Sequence, residues 1–333
     1  MIIITGGAGM IGSSIAWHLN TKLGRDDLVI ADHIMHEAQW QNLEHRQYVE
    51  YLDKEQLFDY LDGNEEVDAV IHMGAISATT ERDFNKLVEA NIHYSQDLWS
   101  WCAENEVPFF YASSAATYGD GSAGYDDANI DKLRPLNGYG YSKHFFDQWV
   151  LKQTPENSPP AWAGFKFFNV YGPNEYHKER MASVAFHTFN QFSETGTMQL
   201  FKGTDNIKGS GAGIKDGEQL RDFVYVKDAA AIVAHFMTVA HSKKPAPNAI
   251  YNIGTGSARS FKDLATNVME SMGKAPHITY IDMPEDLRGK YQYFTQANMI
   301  KLRKAGYTTP MTTLEDGVKD YVQNYLMQAD PYC

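Results

Sequence analysis

The chain has 333 residues, of which 43% are hydrophobic and 21% are charged. This balance is typical of globular proteins and excludes disordered or collagen-like classes, and the length favours a large domain with a smaller companion. The formal net charge of −13 argues against a general nucleic-acid binder, because phosphate backbones require a basic surface. A local group of cations still allows an anionic small molecule as ligand.

Targeting signals are absent from the sequence pattern. The apolar runs are too short to span a bilayer, and no signal peptide is visible at the first residues. The sequence has two cysteines, which form no disulfide framework and indicate a reducing compartment. We therefore expect a cytoplasmic protein with no membrane partner.

Apolar segments alternate with amphipathic segments in the first half of the chain. The segments that predict strands are residues 1–5, 28–31, 69–72 and 109–113, and those that predict helices are residues 13–22, 84–104 and 141–152. Gly24 is expected to end the first helix. Because these strands are apolar throughout, both faces of their sheet should be buried. The alternation predicts an α/β fold with a doubly wound parallel sheet.

The alternation weakens after a loop at residues 155–160 and a further strand at residues 164–169. We predict a first domain over residues 1–170, which also receives part of residues 221–255. A smaller, interleaved α/β domain should occupy residues 171–333. The glycines of residues 209–213 predict a surface loop.

A glycine-rich stretch, residues 6–12, follows the first strand and opens the first helix. Its glycines allow a tight turn and close approach of a pyrophosphate, and the helix N-terminus supplies free N–H groups. Asp32 ends the second strand 20 positions after Gly12, and its carboxylate suits the ribose of NAD. NADP would need a nearby cation, for which His33 and Lys54 are the candidates. The alternative for the glycines is an ordinary turn.

Tyr139 and Lys143 are four residues apart at the start of a helix, which places both on one helical face. A cation beside a phenol favours the phenolate, so the pair predicts a base that works near neutral pH. Such pairs also occur on exposed helices without any function. Ser113 and Ser114 follow a sheet strand, at the end that faces the ligand crevice. Ser114 is predicted to hold a substrate oxygen, and one of the two serines caps a turn.

These motifs together resemble the extended short-chain dehydrogenase/reductases over essentially the whole chain. Residues 72–75 and 169–173 are similar to the H-x-A-A and N-x-Y-G-P stretches of that family. The resemblance implies a Rossmann fold, NADP as cofactor with NAD as the alternative, and a homo-oligomer. It also implies the following cofactor contacts: Gly6, Gly9, Met10, Ile11, Gly12, Asp32, His33, Lys54, Met73, Gly74, Ala75, Ser77, Asn91, Tyr139, Lys143, Val170 and Lys178.

The same family contains 4-epimerases, dehydratases and reductases. Ala115 and Ala116 stand where the dehydratases carry an Asp-Glu pair, which argues against water elimination. The chain more closely resembles the ADP-heptose 6-epimerase branch at residues 111–119, 135–143, 177–187, 221–226 and 291–297. That likeness implies inversion at C6″ of ADP-D-glycero-D-manno-heptose through a transient 6″-ketone, for lipopolysaccharide precursor synthesis. A UDP-hexose 4-epimerase and a non-catalytic dinucleotide sensor are the alternatives.

The branch also implies roles for individual residues. Tyr139 and Lys178 would be two acid/base groups on opposite faces of the reacting carbon, supported by Lys143 and Ser114. The implied substrate contacts are Ser114, Asn169, Arg180, His187, Phe201, Lys202, Gly203, Thr204, Arg221 and Tyr291. The fork of an arginine matches paired phosphate oxygens, so Arg221 is expected on the diphosphate. We predict no metal ion.

Simpler roles stay open for three of these substrate residues. His187 would be a helix histidine, Tyr291 a core aromatic and Lys202 a surface cation. The sequence also departs from the branch at Arg180, which replaces a common serine, and at Gln39, which replaces a lysine thought to hold the NADP phosphate. Residues 209–219 are an insertion relative to shorter members.

Overall fold

The computed structural model describes residues 1–63, 66–128, 130–204, 213–285 and 291–333. The strands in these ranges are β1 (Ile2–Thr5), β2 (Leu28–Asp32), β3 (Glu50–Asp53), β4 (Ala69–His72), β5 (Phe109–Ser114), β6 (Trp162–Phe167), β7 (Asn169–Tyr171), β8 (Met198–Phe201), β9 (Leu220–Arg221), β10 (Phe223–Tyr225), β11 (Ala249–Ile253), β12 (Arg259–Ser260) and β13 (Ile278–Ile281). The α-helices are α1 (Met10–Leu23), α2 (Leu57–Asp62), α3 (Phe84–Val88), α4 (Tyr94–Glu104), α5 (Gly138–Val150), α6 (Val184–Thr195), α7 (Val226–Ala240), α8 (Phe261–Ser271), α9 (Ile300–Lys304) and α10 (Leu314–Tyr321).

Within the described residues, seven parallel strands form one sheet in the order β3-β2-β1-β4-β5-β6-β11. The strand order reverses between β1 and β4, which is where ligands bind in open α/β sheets. Alternate residues of β1 face opposite hydrophobic clusters, with Ile2 and Ile4 on one side and Ile3 on the other. The predicted α/β fold with a doubly wound parallel sheet is confirmed.

The helix boundaries follow from local capping. Gly24 ends α1 in a left-handed conformation with φ of 64°, as predicted. The side chain of Asn137 accepts a hydrogen bond from the N–H of Gly140 at 2.8 Å and starts α5. The helix predicted over residues 84–104 is instead α3 and α4 joined by a π-helical turn, Glu89–His93.

Two strands of the large sheet were not predicted. The first is β3 at one edge, and the second is β11, which pairs with β6 at the other edge. The latter lies inside residues 221–255, the segment expected to return to the first domain, although the domain boundaries stay a prediction. The strand predicted over residues 164–169 is divided into β6 and β7.

The second half forms small two-stranded pairings, β7 with β10, β9 with β12 and β8 with β13. Of the predicted loop at residues 209–213, residues 209–212 lie outside the described residues. Among the ranges that the structure describes, no helix has both the length and the apolar character needed to cross a membrane.

Candidate active site

The glycine-rich turn after β1 packs directly against the turn after β4. Gly6 has φ of +63°, and a Cβ there would lie 2.5 Å from the N atom of Gly74. A Cβ on Gly12 would overlap the carbonyl oxygen of Gly6. Helix α1 starts at Gly9 with no side-chain cap and no acidic residue in its first turn. The free N–H groups of a 14-residue helix and the side-chain-free turn therefore fit a pyrophosphate.

We call the glycine turn at residues 6–12, together with the start of α1, the glycine cradle. Asp32 lies at its edge. Its carboxylate accepts hydrogen bonds from the N–H groups of Ala8 at 2.8 Å and His33 at 2.7 Å. Burial raises the pKa of Asp32, and these two hydrogen bonds oppose the rise. The carboxylate thus joins the end of β2 to the glycine turn, next to where a ribose would follow a pyrophosphate.

The two predicted cations near Asp32 already have partners. His33 Nδ1 lies 2.8 Å from a carboxylate oxygen of Asp53, which also caps the 3₁₀ turn Lys54–Gln56. The ammonium of Lys54 lies 5.8 Å from the centre of the Tyr94 ring. Whether either residue contacts a 2′-phosphate stays a prediction.

The turn after β4 is ordered by Thr5, which the sequence reasoning missed. The N–H of Met73 donates to the carbonyl oxygen of Thr5 at 3.0 Å, and the N–H of Gly74 donates to its hydroxyl at 3.2 Å. The same hydroxyl lies 2.6 Å from Nδ1 of buried His72. Ala75 is half-buried and Ser77 exposed at the end of this turn. Thr5 had no signal beyond its place at the carboxyl end of β1.

Asn91 also acts on this turn, from the π-helical segment. Its Oδ1 accepts from the N–H of Ile76 at 2.8 Å, and its Nδ2 donates to the carbonyl oxygen of Ile76 at 3.0 Å. A further hydrogen bond of 3.0 Å reaches the hydroxyl of Ser142 on α5. The fully buried amide thus holds the β4 turn against α5, and its predicted contact with a cofactor stays a prediction.

The structure brings Ser114, Tyr139 and Lys143 together. Ser114 ends β5, while Tyr139 and Lys143 lie one turn apart at the start of α5. The Ser114 hydroxyl hydrogen-bonds Tyr139 and also accepts from the N–H of Ala116 at 3.1 Å. Ser114 therefore both caps the following turn and faces the phenol, while Ser113 donates to Asp147.

The expectation that the pKa of Tyr139 is lowered is wrong for this structure. Burial raises the pKa of Tyr139, Asp147 adds to the rise, and only the hydrogen bond with Ser114 opposes it. The physical reason is that the penalty for burying a phenolate exceeds the gain from the hydrogen bond with the Ser114 hydroxyl.

Lys143 is a buried cation, 3% exposed, with no ion pair or hydrogen bond to its ammonium within the described part of the chain. Burial lowers the pKa of Lys143 to about 8, and Asp147 opposes this change. An unpaired buried ammonium is costly and marks a place where a ligand can supply the missing oxygen atoms.

Lys178 reaches the same cradle from the turn Tyr176–Met181. Its Nζ lies 3.9 Å from the sulfur of Met10, the first residue of α1. Burial lowers the pKa of Lys178, and the carboxylate of Glu175 opposes this. The backbone of the next residue, Glu179, has φ of 46°. Half-buried Val170 and Ile11 pack in the same hydrophobic cluster as Met10.

Asn42, a further residue that sequence reasoning missed, connects the glycine turn to the segment before the Lys178 turn. Asn42 is 1% exposed, and its Nδ2 donates to the carbonyl oxygens of Ala8 at 2.8 Å and Asn174 at 3.1 Å. The same Nδ2 lies 3.3 Å from Nδ1 of His177. No local pattern identifies Asn42, since its partners are distant in sequence.

Arg221 forms the centre of a second group of predicted residues. It is 5% exposed, and its guanidinium lies 4.8 Å from the ring centre of Tyr291 and 5.4 Å from that of Phe261. Its Nη1 donates to the carbonyl oxygen of Leu220 at 2.9 Å. No carboxylate pairs with it in the ranges described, and burial lowers its pKa. This geometry presents a cation to an anion.

Phe201 joins this group, with its ring 6.2 Å from that of Tyr291. Lys202 is exposed and pairs with Asp282 at 3.2 Å, which supports the simpler role of a surface cation. Thr204 forms an antiparallel bridge with Ile214, and Gly203 leaves no room for a Cβ beside it.

The remaining predicted substrate residues are more loosely placed. Asn169 and Arg180 are exposed, and His187 is half-buried on α6. The backbone N–H of Asn169 donates to the carbonyl oxygen of Asp222, next to Arg221. Their roles as substrate contacts stay predictions.

The family model described as "NAD dependent epimerase/dehydratase family" matches residues 2–254. The chain belongs to this family. Among relatives in the epimerase/dehydratase family, the ADP-L-glycero-D-manno-heptose-6-epimerase of Fusobacterium nucleatum subsp. nucleatum is 51% identical over 345 residues, with all of both chains covered. The protein of the same name from Nitratidesulfovibrio vulgaris strain DP4 is 47% identical over 337 residues, again with both chains fully covered.

A solved structure agrees with these sequence relatives. The crystal structure of the Helicobacter pylori ADP-L-glycero-D-manno-heptose-6-epimerase superimposes with a TM-score of 0.75 at 28% identity. The alignment covers 97% of this chain and 95% of that one. The chain is an NAD-dependent isomerase in its general class, because its family is NAD-dependent and its relatives at 51% and 47% identity are epimerases.

Proposed function

We propose that this chain is an ADP-L-glycero-D-manno-heptose 6-epimerase, which inverts C6″ of a nucleotide-activated heptose. The observation that carries the proposal is identity of about half the residues, over complete chains, with two proteins of that name. The arrangement of Ser114, Tyr139 and Lys143 beside the glycine cradle supports an oxidation and reduction at a hydroxyl carbon. We further propose a cytoplasmic homo-oligomer that supplies lipopolysaccharide precursors.

The cradle fits an NAD-type dinucleotide, which when bound supplies the acceptor and donor of a hydride. Gly6 and Gly12 allow the backbone of the turns to pack closely, which leaves the N–H groups at the start of α1 to a pyrophosphate, and the unpaired ammonium of Lys143 suits ribose hydroxyls. We propose NADP, from the likeness to the heptose epimerases, with NAD as the alternative. Asp32 and Gln39 favour NAD, because neither side chain offers a cation to a 2′-phosphate.

The first step is proton removal from the C6″ hydroxyl by Tyr139 as hydride leaves the same carbon. Ser114 hydrogen-bonds the substrate oxygen and stabilises the 6″-ketone that results. A protonated Lys143 stabilises the phenolate of Tyr139, and loss of its charge above a pKa of about 8 weakens that help. A hydride on the opposite face of the ketone, which a bound dinucleotide would supply, and a proton on its oxygen would give the other epimer.

One fixed tyrosine serves one face of the carbon, so a second acid is required unless the ketone turns. Lys178 meets this need, because its ammonium lies beside Met10 at the start of α1, on a turn separate from α5. Burial holds the pKa of Lys178 below its usual value, which makes proton exchange easier near neutral pH.

Arg221 binds the diphosphate of the substrate. Its guanidinium lies near the rings of Tyr291 and Phe261 and lacks a carboxylate partner within the described residues. Phe201 and Tyr291 then form an aromatic wall beside the diphosphate. The glycine cradle therefore binds the cofactor, and the Arg221 group binds the nucleotide part of the substrate.

The function is tested by incubating the protein with ADP-D-glycero-D-manno-heptose and following C6″ inversion by NMR. We expect conversion to a mixture of both epimers, without net consumption of added cofactor. UDP-galactose in parallel tests the 4-epimerase alternative. Inversion of UDP-galactose without any of ADP-heptose would contradict the proposal.

The two-base mechanism predicts opposite defects in two variants. Tyr139→Phe removes only the hydroxyl, and Lys178→Met removes only the ammonium, so each should slow inversion by about 10²–10⁴-fold. The measurement is reduction of bound cofactor on mixing each variant with each epimer. The variants should prefer opposite epimers in this half-reaction. If Lys178→Met epimerises at the wild-type rate, Lys178 is no base and the ketone turns before a single tyrosine.

The cofactor is identified by mass spectrometry of the dinucleotide released from denatured protein. NADP is the expected result, with tighter binding of NADP than of NAD to the emptied protein. Release of NAD alone, with no preference for NADP on rebinding, would assign NAD instead.

A further inference from the structure

A buried ion pair lies directly behind the proposed catalytic group. Lys166 Nζ on β6 is 2.5 Å from Oδ2 of Asp147 on α5, and both side chains are fully buried. Buried ion pairs give little net stability compared with apolar residues of similar size, because both charges lose their hydration. The mechanism above uses neither residue, so this pair requires another reason.

The hydrogen bonds of the pair lead to the backbone around Ser114. Asp147 accepts from the hydroxyl of Ser113 at 2.7 Å, and Lys166 donates to the hydroxyl of Thr117 at 2.7 Å. Thr117 in turn donates to the carbonyl oxygen of Ser114 at 2.8 Å. The pair therefore holds both sides of the short segment that presents the Ser114 hydroxyl.

The same carboxylate acts on the catalytic groups through its charge. Asp147 lies four residues after Lys143 and thus on the same face of α5. Its negative charge raises the pKa of Tyr139 and opposes the lowering of the pKa of Lys143. An uncompensated carboxylate at this place would raise the pKa of Tyr139 further and leave less of it as phenolate at neutral pH.

Several other titratable groups face the pair from the elements packed around it. Burial lowers the pKa of Lys166 itself, while Asp147 opposes that change. The neighbouring groups are Lys143, His144, Tyr111, Tyr118, Asp127 and Lys301. Asp127 is engaged by Lys301 at 3.4 Å, which leaves Lys166 as the cation in direct contact with Asp147.

We propose that Lys166 is a positioning residue that holds Asp147 against the Ser113–Thr117 segment and screens its negative charge from Tyr139 and Lys143. The inference rests on the proposed function, since it assumes that Tyr139 accepts a proton from the substrate. The catalytic residues do not themselves hold the Ser114 segment and the start of α5 in place. The Lys166–Asp147 pair does so without adding net charge.

The test compares the pH dependence of the hydride half-reaction in Lys166→Met, Lys166→Arg and Asp147→Asn. The rising limb is the pH range over which the rate of this half-reaction increases. Lys166→Met leaves the carboxylate unscreened, so this limb should move to higher pH by about one unit. The rate at pH values below the limb should then be about tenfold lower. Asp147→Asn leaves an unscreened cation and should move the limb to lower pH. Lys166→Arg keeps the charge and should keep the wild-type limb.

A purely structural role is separated by the double variant Asp147→Asn/Lys166→Met, which removes both charges and leaves no unpaired charge. We expect its limb to lie between those of the two single variants, with cofactor bound. This variant also serves if Lys166→Met does not fold. A limb at the wild-type pH in Asp147→Asn, or the same limb in Asp147→Asn and in the double variant, would overturn the inference.

The wild type and Tyr139→Phe show which proposal has failed. If the wild type does not reduce its cofactor with ADP-heptose, the proposed function fails and this inference falls with it. If the wild type reacts, Tyr139→Phe is defective and every limb stays in place, only the role of Lys166 is refuted.

Discussion

Around residues 6–12 the cradle consists of main-chain atoms, whereas around Arg221 the site consists of side chains from three distant segments. The cradle depends on what is absent, because a Cβ on Gly6 or Gly12 would meet backbone atoms. The Arg221 group depends on side chains, a cation within 5.4 Å of the ring centres of Tyr291 and Phe261. The first should fail by losing the cofactor and the second by losing affinity for the substrate.

The largest effect is expected from adding a side chain to the cradle. Gly12→Val places a branched side chain against the carbonyl oxygen of Gly6 and forces the turn open. Misplacement of this kind costs about 10²-fold or more in activity, with loss of bound dinucleotide. The measurements are cofactor content after purification and the epimerisation rate.

Gly63→Ala is the matched control for this change, because a Cβ there meets neighbouring atoms only at ordinary distances of 3.7 Å and more. It should retain both cofactor and rate. A Gly12→Val protein that keeps a full complement of dinucleotide would show that the dinucleotide binds elsewhere.

The next effect should appear in substrate affinity alone. Arg221→Ala removes the charge-assisted hydrogen bonds to the diphosphate, a loss of about 1.5–3 kcal/mol, or a KM raised about 10- to 150-fold. Cofactor content should barely change. Arg259→Ala, on the strand paired with Arg221, is the control, since Arg259 already pairs with Asp263 and Glu315. An unchanged KM in Arg221→Ala would return that arginine to a structural role.

The smallest effect concerns stability. The site beside the glycine cradle also depends on a side chain, because it contains the unpaired cation Lys143. The pKa of Lys143 falls to about 8 from 10.5, so the unfolded chain binds more protons between these values. Stability of the wild type should therefore rise with pH across this window, while the full penalty is present below it. Lys143→Met should be more stable by about 1–2 kcal/mol at neutral pH, although inactive.

Chemical denaturation without cofactor, at neutral and alkaline pH, measures this difference. Lys152→Met, an exposed lysine just beyond α5, should leave stability and its pH dependence unchanged. A destabilised Lys143→Met protein would mean that the aliphatic stem of Lys143 contributes more packing than its charge costs.

The cradle was predictable from the sequence because its parts are contiguous. Residues 6–12 signal their conformation through glycine alone, and the spacing of Tyr139 and Lys143 fixes their shared helical face. The large sheet followed from apolar runs, but β3 escaped because charged residues bound a short edge strand. Hydrophobic patterning carries no information about such an edge.

Side-chain networks could not be predicted in this way. Asp147 and Lys166 meet only because β6 packs beneath α5, and neither residue belongs to a motif that announces a partner. The direction of the Tyr139 pKa was also missed, because burial is a property of the folded chain and cannot be read from the spacing of Tyr139 and Lys143.

Asn42 has a consequence for how the folded chain opens. Its side-chain amide donates hydrogen bonds to the carbonyl oxygens of Ala8 and Asn174, which are 166 positions apart. It thereby connects the glycine turn to the segment that leads into the Lys178 turn. Thermal fluctuations that break both hydrogen bonds of this amide would therefore loosen the glycine turn and the segment leading into the Lys178 turn together. The pyrophosphate site and the proposed second acid, Lys178, would then open in the same event.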